Sequence, residues 1–192
     1  MPLTRILVLL SIFLAYSSVS IAQLVSVQQV KFTLLKNNWF VAEVQILTDR
    51  NTEPQAISDK FVENVNIRLY LGFQNNNLAD NIDYYVAQSN IMILEQGDRN
   101  IVRFFIPDKI IKMHRYRIPQ YYYAEVEVNK KVQKLNSRAF SSNISSKQSL
   151  DSFIQKARQG MQRNLGRLMP SYRAPINVQG SDPGAPIYIN SL

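Results

Sequence analysis

The sequence predicts a mainly β protein: an antiparallel immunoglobulin-like β-sandwich of about seven strands, followed by one C-terminal amphipathic helix and an irregular tail. From Leu24 to about Ile144, apolar and polar residues alternate with the period of two that is typical of strands. From Ser149 the apolar residues recur at helical spacing instead. Since no long amphipathic helix separates the strands, β-α-β units are not expected and an antiparallel sandwich is the natural packing. A small β-barrel is the alternative fold.

The first residues have the three-part form of a secretory signal peptide. Arg5 precedes an apolar run from Ile6 to Tyr16, and small residues follow up to Ala22. We expect cleavage after Ala22. The alternative is an uncleaved membrane anchor, but the serines in the second half of this segment interrupt the apolar span that a bilayer requires. The mature protein is therefore expected to be exported to the periplasm, the outer envelope or the cell surface.

The strands are predicted from side chains that alternate toward one face. The phase of the first strand slips at Gln28 and Gln29, which predicts a bulge. The turn at 36–38 precedes the second strand. Each alternation is typical of a sheet with one solvated face. The predicted inward residues are Val25, Val27, Val30, Phe32 and Leu34; Phe40, Ala42, Val44 and Ile46; Val65, Ile67, Leu69, Leu71 and Phe73; Val102, Phe104 and Ile106; and Tyr122, Ala124, Val126 and Val128.

The sequence also predicts the connections between these strands. Polar loops are predicted at 49–60 and 74–81, and between the second loop and the turn at Gly97 the chain forms one long strand or two short ones. Residues 108–118 form a crossing segment with about one helical turn. A last, weak strand is predicted at 138–144.

The C-terminal region is predicted to be a basic amphipathic helix at 147–169 and a tail at 170–192 punctuated by Pro and Gly. Together with the leader at 1–22 and the sandwich at 24–146, these complete the expected domain organisation. Ser149 is the expected N-cap. The apolar stripe of the helix has to be covered, either by the sandwich itself or by a partner protein. The candidate partner contacts are Phe153, Ile154, Met161 and Leu165.

We expect residues 149–192 to engage a partner and to be dispensable for the sandwich. On this hypothesis, truncation after Ser146 would leave the melting midpoint nearly unchanged while complex formation is lost. A truncated protein that does not fold would show instead that the helix completes the core.

Composition excludes several kinds of chemistry. The chain has no cysteine and a single histidine, so disulfides, thiolate metal sites and thiol catalysis are excluded. No serine occupies a nucleophile-elbow motif and no glycine-rich phosphate-binding loop occurs. We therefore expect no enzyme, no catalytic residues, no metal and no cofactor. A third, weaker hypothesis is an unrecognised enzyme that uses carboxylates.

The charge is basic and unevenly distributed. The net charge is +8, and residues 147–192 hold six Lys and Arg against two Asp. A ridge of four cations, Lys109, Lys112, Arg115 and Arg117, lies within the crossing segment. The ridge is either an anion-binding or partner-binding patch, or an ordinary solvated loop. The expected partners are envelope or pilus proteins, an anionic glycan or lipid surface, or further copies of this chain, and not nucleic acid.

The N-terminal half of the predicted sandwich resembles known proteins. Residues 25–30, 39–44 and 65–71 are similar to those of secreted immunoglobulin-like proteins encoded with type IV pilus genes in mucin-dwelling Verrucomicrobia. The resemblance covers about residues 24–145. It implies a noncatalytic envelope or surface protein, related in fold to the β-domain of archaeal pilus subunits. A pilin keeps a long apolar helix after processing, whereas here a strand follows Ala22 at once, which indicates an accessory component.

These observations favour one function and leave one main alternative. The favoured function is a noncatalytic exported interaction module, an accessory component of a type IV pilus or cell-envelope assembly. The alternative is an adhesin domain that binds carbohydrate or a host surface. The first hypothesis predicts a defined protein partner in the envelope, and the second predicts saturable retention on a glycan.

Overall fold

The computed structural model describes residues 23–75, 81–179 and 185–189, which form two antiparallel sheets with a core between them. The predicted leader, its cleavage after Ala22 and most of the polar loop at 74–81 lie outside the described residues. The strands are β1 Val25–Leu34, β2 Phe40–Thr48, β3 Phe61–Gln74, β4 Ile82–Glu95, β5 Arg99–Ile106, β6 Tyr121–Val128, β7 Lys131–Val132, β8 Met169–Pro170 and β9 Ile187–Tyr188. The helices are α1 Asp108–His114, α2 Lys147–Gly160 and α3 Ile176–Gln179, with 3-10 turns at Met161–Asn164 and Ser171–Arg173.

The strand order confirms the predicted fold class. The first sheet has the order β1-β2-β5-β8 and the second has the order β7-β6-β3-β4-β9. The chain crosses between the sheets after β2, after β4 and after β5, which is the pattern of an immunoglobulin-like sandwich. The phase slip in β1 is a shift of register between Val27 and Gln29.

The predicted inward faces of the central strands form the core. Val44, Ile46, Ile67 and Leu69 are completely buried, because alternate residues of β2 and β3 point into the space between the sheets. The region between the second polar loop and Gly97 is one long strand, β4, which pairs with β3. Gly97 has a φ of 84°, which a glycine adopts without strain in the turn before β5.

The predicted last strand at 138–144 is wrong. In this segment only an isolated bridge joins Phe140 to Tyr123. On the side away from β3, β6 pairs with β7, which follows a two-residue turn at Asn129 and Lys130. Both turn residues have a positive φ, as tight hairpin turns require. A lysine in this conformation is uncommon, which is why the sequence did not indicate a hairpin there.

The C-terminal helix begins at Lys147, the first residue of the predicted range, but it has a different N-cap and ends sooner than predicted. Ser146, not Ser149, is the N-cap. The Ser149 N–H donates to the Ser146 hydroxyl over 3.1 Å and the Ser146 N–H donates to the Ser149 hydroxyl over 3.0 Å, which forms a capping box. The α-helix ends at Gly160 instead of continuing to residue 169. At Gly160 a β-carbon would lie 2.8 Å from the ring of Tyr84, so the glycine permits close contact with β4.

Helix α2 packs on the outer face of the second sheet. The Phe153 ring lies 6.1 Å from the ring of Tyr84 and 5.9 Å from the ring of Tyr121. Beneath it is Gly72, where a β-carbon would lie 3.2 Å from Phe153. The helix therefore covers part of the face that was expected to be solvated, and Tyr70 on that face is completely buried.

The rest of the C-terminal region closes the sandwich on both sides. Strand β8 extends the first sheet beside β5, and β9 extends the second sheet beside β4. Ala174 and Val178 then cover Val41 and Phe105 on the outer face of the first sheet. The main core also includes Leu150, Phe153, Ala157 and Leu168. These contacts argue against the expectation that residues 149–192 are dispensable for the sandwich.

We expect the substitution Phe153→Ala to lower the free energy of unfolding by about 3–5 kcal/mol, because it leaves a cavity between α2 and β3. Leu165→Ala is the matched control, since Leu165 is 64% exposed and a surface substitution changes stability by about 0.5 kcal/mol or less. Urea unfolding followed by circular dichroism measures both.

Truncation after Ser146 provides the second measurement. We expect the truncated protein to be insoluble or unfolded. A truncated protein with an unchanged melting midpoint, or equal effects of Phe153→Ala and Leu165→Ala, would contradict the packing described above.

Candidate functional site

A groove of about 570 Å³ lies beside α2 on the outer face of the second sheet. We call it the arginine groove. Its cations are Arg68 from β3, Arg158 from α2 and Arg173 from the 3-10 turn after β8. Two tyrosines, Tyr70 and Tyr172, also line it, and the remaining lining is mainly apolar, with Val86, Met161, Leu165, Leu168 and Pro170.

The alternation of β3 places two of these residues. Arg68 and Tyr70 are two positions apart and point to the outer face, opposite the inward Leu69. Arg68 remains partly exposed on this face, whereas Tyr70 is buried. After the helix, Gly166 adopts a φ of 74° and the chain reaches the buried Leu168 and then β8. The groove therefore forms where the chain leaves the outer face of the second sheet for the edge of the first.

The three arginines differ in their partners. Arg68 Nη1 lies 2.6 Å from the Glu125 carboxylate, and its other terminal nitrogen donates to Gln88 over 3.3 Å. Arg158 donates from Nε and Nη2 to the Tyr70 hydroxyl over 3.4 and 3.2 Å. Within the described parts of the chain, no carboxylate forms an ion pair with Arg158 or Arg173.

The tyrosines on the sheet hold the base of the groove. Tyr70 and Tyr123 stack with their ring centroids 5.7 Å apart. Burial raises the pKa of Tyr123 well above its ordinary value, so this phenol stays neutral at physiological pH. Glu125 pairs with Arg68 and also acts electrostatically on Arg158, and Glu127 acts on Arg68. Among the described residues, no acidic side chain lines the groove itself. The groove has an excess of positive charge beside an apolar surface, which suits a ligand with both carboxylate and apolar groups.

The four predicted partner residues of the helix divide between two environments. Phe153 is buried between α2 and the second sheet, and Ile154 packs half-buried against the core. Met161 and Leu165 line the arginine groove. The structure therefore covers half of the predicted stripe with the chain's own sheet and leaves the other half beside the groove.

Sequence reasoning missed the arginines of the groove. The alternation along β3 predicts a solvated position for Arg68, and no motif in the sequence distinguishes Arg158. Tyr70 and Arg158 are separated by 88 residues, so no local motif joins them. The available signal was Tyr70 itself, a large aromatic residue at a position that the alternation assigned to solvent.

The predicted basic ridge is exposed. Lys109, Lys112, Arg115 and Arg117 lie on α1 and the turn after it, and none of them lines the arginine groove. Lys112 pairs with Asp108 over 3.0 Å. Arg115 caps the helix in the left-handed conformation with a φ of 56°. The crossing segment thus contains two helical turns, where the sequence predicted about one.

A buried polar cluster attaches the ridge to β4. The Tyr116 hydroxyl donates to Asp83 and accepts from the Tyr85 hydroxyl over 3.1 Å. Asn75 donates to the same Asp83 oxygen over 2.8 Å. The His114 ring stacks on Tyr116 with the centroids 5.0 Å apart. Burial, followed by the hydrogen bond to Asp83, raises the pKa of Tyr116 far above its ordinary value.

The sign of the resulting pH dependence follows from the raised pKa. The folded protein holds the Tyr116 proton more tightly than the unfolded chain does, so this contribution to stability is complete below a pH of about 10 and is lost as the pH rises above it. We expect Tyr116→Phe to reduce the slope of stability against pH between about pH 10 and 12. Urea unfolding at several pH values measures this slope. Equal slopes for the variant and the wild type would contradict the claim that burial raises the pKa of the Tyr116 phenol.

Comparisons with known proteins establish the fold and no family. No protein-family model matches the chain and no curated protein matches it. A crystal structure of a protein from Akkermansia muciniphila, a Verrucomicrobium, is similar with a TM-score of 0.62 at 13% sequence identity. The similarity covers 88% of this chain and 93% of the other chain. It therefore extends past the sandwich into the C-terminal region.

Two further observations concern the described residues. None of their helices is long and apolar enough to cross a membrane. They contain no group of three or more His, Cys, Asp or Glu side chains with a geometry that could hold a metal ion.

Proposed function

We propose that the protein is a noncatalytic exported interaction module, an accessory component of a type IV pilus or cell-envelope assembly. Three observations support this proposal. The N-terminal residues have the form of a secretory leader. The sequence resembles secreted immunoglobulin-like proteins encoded with pilus genes in Verrucomicrobia. The fold is shared with a protein from an organism of that phylum.

The observation that carries the proposal is the arginine groove. Arg and Tyr are enriched among the residues that contribute most to protein-protein binding. Here Arg158 and Arg173 flank Tyr172 and a floor that includes Val86 and Leu168. An arginine can bind a carboxylate through two parallel hydrogen bonds, while the floor accepts an apolar side chain. The partner that fits is an acidic segment of another envelope protein with apolar residues beside its carboxylates.

The test compares two surfaces of the same protein. The groove variant carries Arg158→Gln and Arg173→Gln, and the control variant carries Gln at Lys109, Lys112, Arg115 and Arg117. Both remove positive charge from exposed positions. We expect the wild type and the ridge variant to capture the same protein from a membrane-envelope extract, and the groove variant to bind the purified partner at least tenfold more weakly. Charged hydrogen bonds of about 1.5–3 kcal/mol give a loss of this size.

Matched melting curves for the two variants establish that folding is intact. If the groove variant binds the partner as well as the wild type does, the groove is not the binding surface. If the ridge variant alone loses binding, the basic ridge is the partner site. If the wild type captures no envelope protein, the proposed interaction function is wrong.

A second depression favours the adhesin alternative. It has a volume of about 500 Å³ and lies at the opposite end of the same sheet face, lined by four asparagines. Asn66 donates to Asn90 across β3 and β4, and Asn64 donates to Asn129 over 3.2 Å. Amide groups donate and accept at once, as sugar hydroxyls require. Retention on a glycan column that is lost in Asn90→Ala, with the arginine groove intact, would select this function.

A further inference from the structure

The edges of the two sheets are covered to different extents. Within the described residues, β7 covers β6, β8 covers β5 and β9 covers β4. Strand β1 pairs with β2 alone. A strand edge without a neighbour presents backbone N–H and C=O groups that can pair with another chain. The edge of β1 is therefore a possible point of strand addition.

The two halves of β1 differ. Beside the first half, the Leu24 N–H donates to the Gln133 side chain over 2.8 Å, and the Asn136 side chain donates to the Val27 carbonyl over 3.0 Å. Within the described parts of the chain, no residue other than those of β2 pairs with the backbone of residues 30–34. Leu34 is 49% exposed at the end of this half. We call residues 30–34 the open edge.

The inward side of the open edge is aromatic. Phe32 packs edge to face on Tyr122 of the opposite sheet, with the ring centroids 5.1 Å apart. Phe32, Tyr122 and Phe140 are each only partly buried. A strand added beside β1 would point alternate side chains toward this half-covered cluster. Apolar side chains at those positions would bury it further.

The outward side of the open edge is charged. Lys31 lies opposite Glu43 of β2, and Glu43 lies opposite Arg103 of β5. Arg103 and Glu43 form an ion pair of 2.8 Å. The signs of the charges therefore alternate across the sheet and end with the positive Lys31. Opposite charges on neighbouring strands are stabilising, so the next strand is favoured if it carries an acidic residue beside Lys31.

We propose that the open edge binds an extended segment of a partner protein, which adds a strand beside β1. The segment has an acidic residue that faces Lys31, between two apolar residues that face Tyr122 and Phe140. An edge of five residues matches a short peptide strand. This site is independent of the arginine groove.

The experiment uses the probe peptide acetyl-Thr-Val-Glu-Val-Thr-amide and the full mature chain, with amide chemical shifts followed by NMR. We expect saturable shifts in β1 that centre on Lys31 and Phe32. Two further peptides are N-methylated at alternate residues. One carries the methyl groups on one set of alternate amides, and the other carries them on the complementary set. Methylation of one set removes the amides that pair with β1 and abolishes binding, while methylation of the other set leaves binding intact.

Reversal of the charge at residue 31 tests the outward side of the open edge. Lys31→Glu should weaken binding of the Glu peptide by about two- to fivefold and should reverse the preference between it and a peptide with Lys at that position. The groove variant with Arg158→Gln and Arg173→Gln should bind the Glu peptide as the wild type does.

Three outcomes would overturn the proposal. These are no shift of β1 at millimolar peptide, equal effects of the two methylated sets, or no change of charge preference in Lys31→Glu. Light scattering of the free protein tests whether a second copy of the chain occupies the open edge instead. A dimer that is lost in Lys31→Glu would show that a second copy of the chain occupies the open edge and that the partner-segment proposal is wrong.

Discussion

The close approach of Phe153 to Gly72 is the contact on which the outer face of the second sheet depends. Any β-carbon on residue 72 would lie within 3.2 Å of the Phe153 ring, so the glycine lets α2 rest directly on β3. Once the helix is there, Tyr70 is buried and its hydroxyl accepts from Arg158. The helix also directs the chain through Gly166 to the far wall of the arginine groove. One packing contact thus determines both a core surface and a candidate binding surface.

The C-terminal region combines structural and functional roles for the same reason. The chain has no cysteine, so noncovalent packing has to hold the sandwich together. Residues after Ser146 supply a helix on one sheet, short edge strands on both sheets, and Ala174 and Val178 on the outer face of the first sheet. The same residues carry Arg158 and Arg173. A partner in the groove would therefore contact the element that closes the fold, and binding would stabilise the whole domain.

The sequence predicts what depends on local periodicity. The alternation in β2 and β3 identified inward residues such as Val44 and Leu69, and the phase slip identified the irregularity in β1. It could not show that Tyr70 is buried, because the covering helix lies some 80 residues later in the chain. The capping serine was also missed, since the first turn of α2 is polar and precedes the apolar period. The groove escaped prediction because its arginines meet only in three dimensions.

The most direct test of this account is native-state hydrogen exchange of the mature chain. If α2 is an integral part of the sandwich, the amides of Phe153 and Ala157 should exchange through openings as costly as those that expose Leu69 and Leu71 in the centre of β3. Exchange of the helix amides through low-energy openings, with the sheet still protected, would contradict the account. The helix would then be a separable arm, and the arginine groove would not be a preformed site.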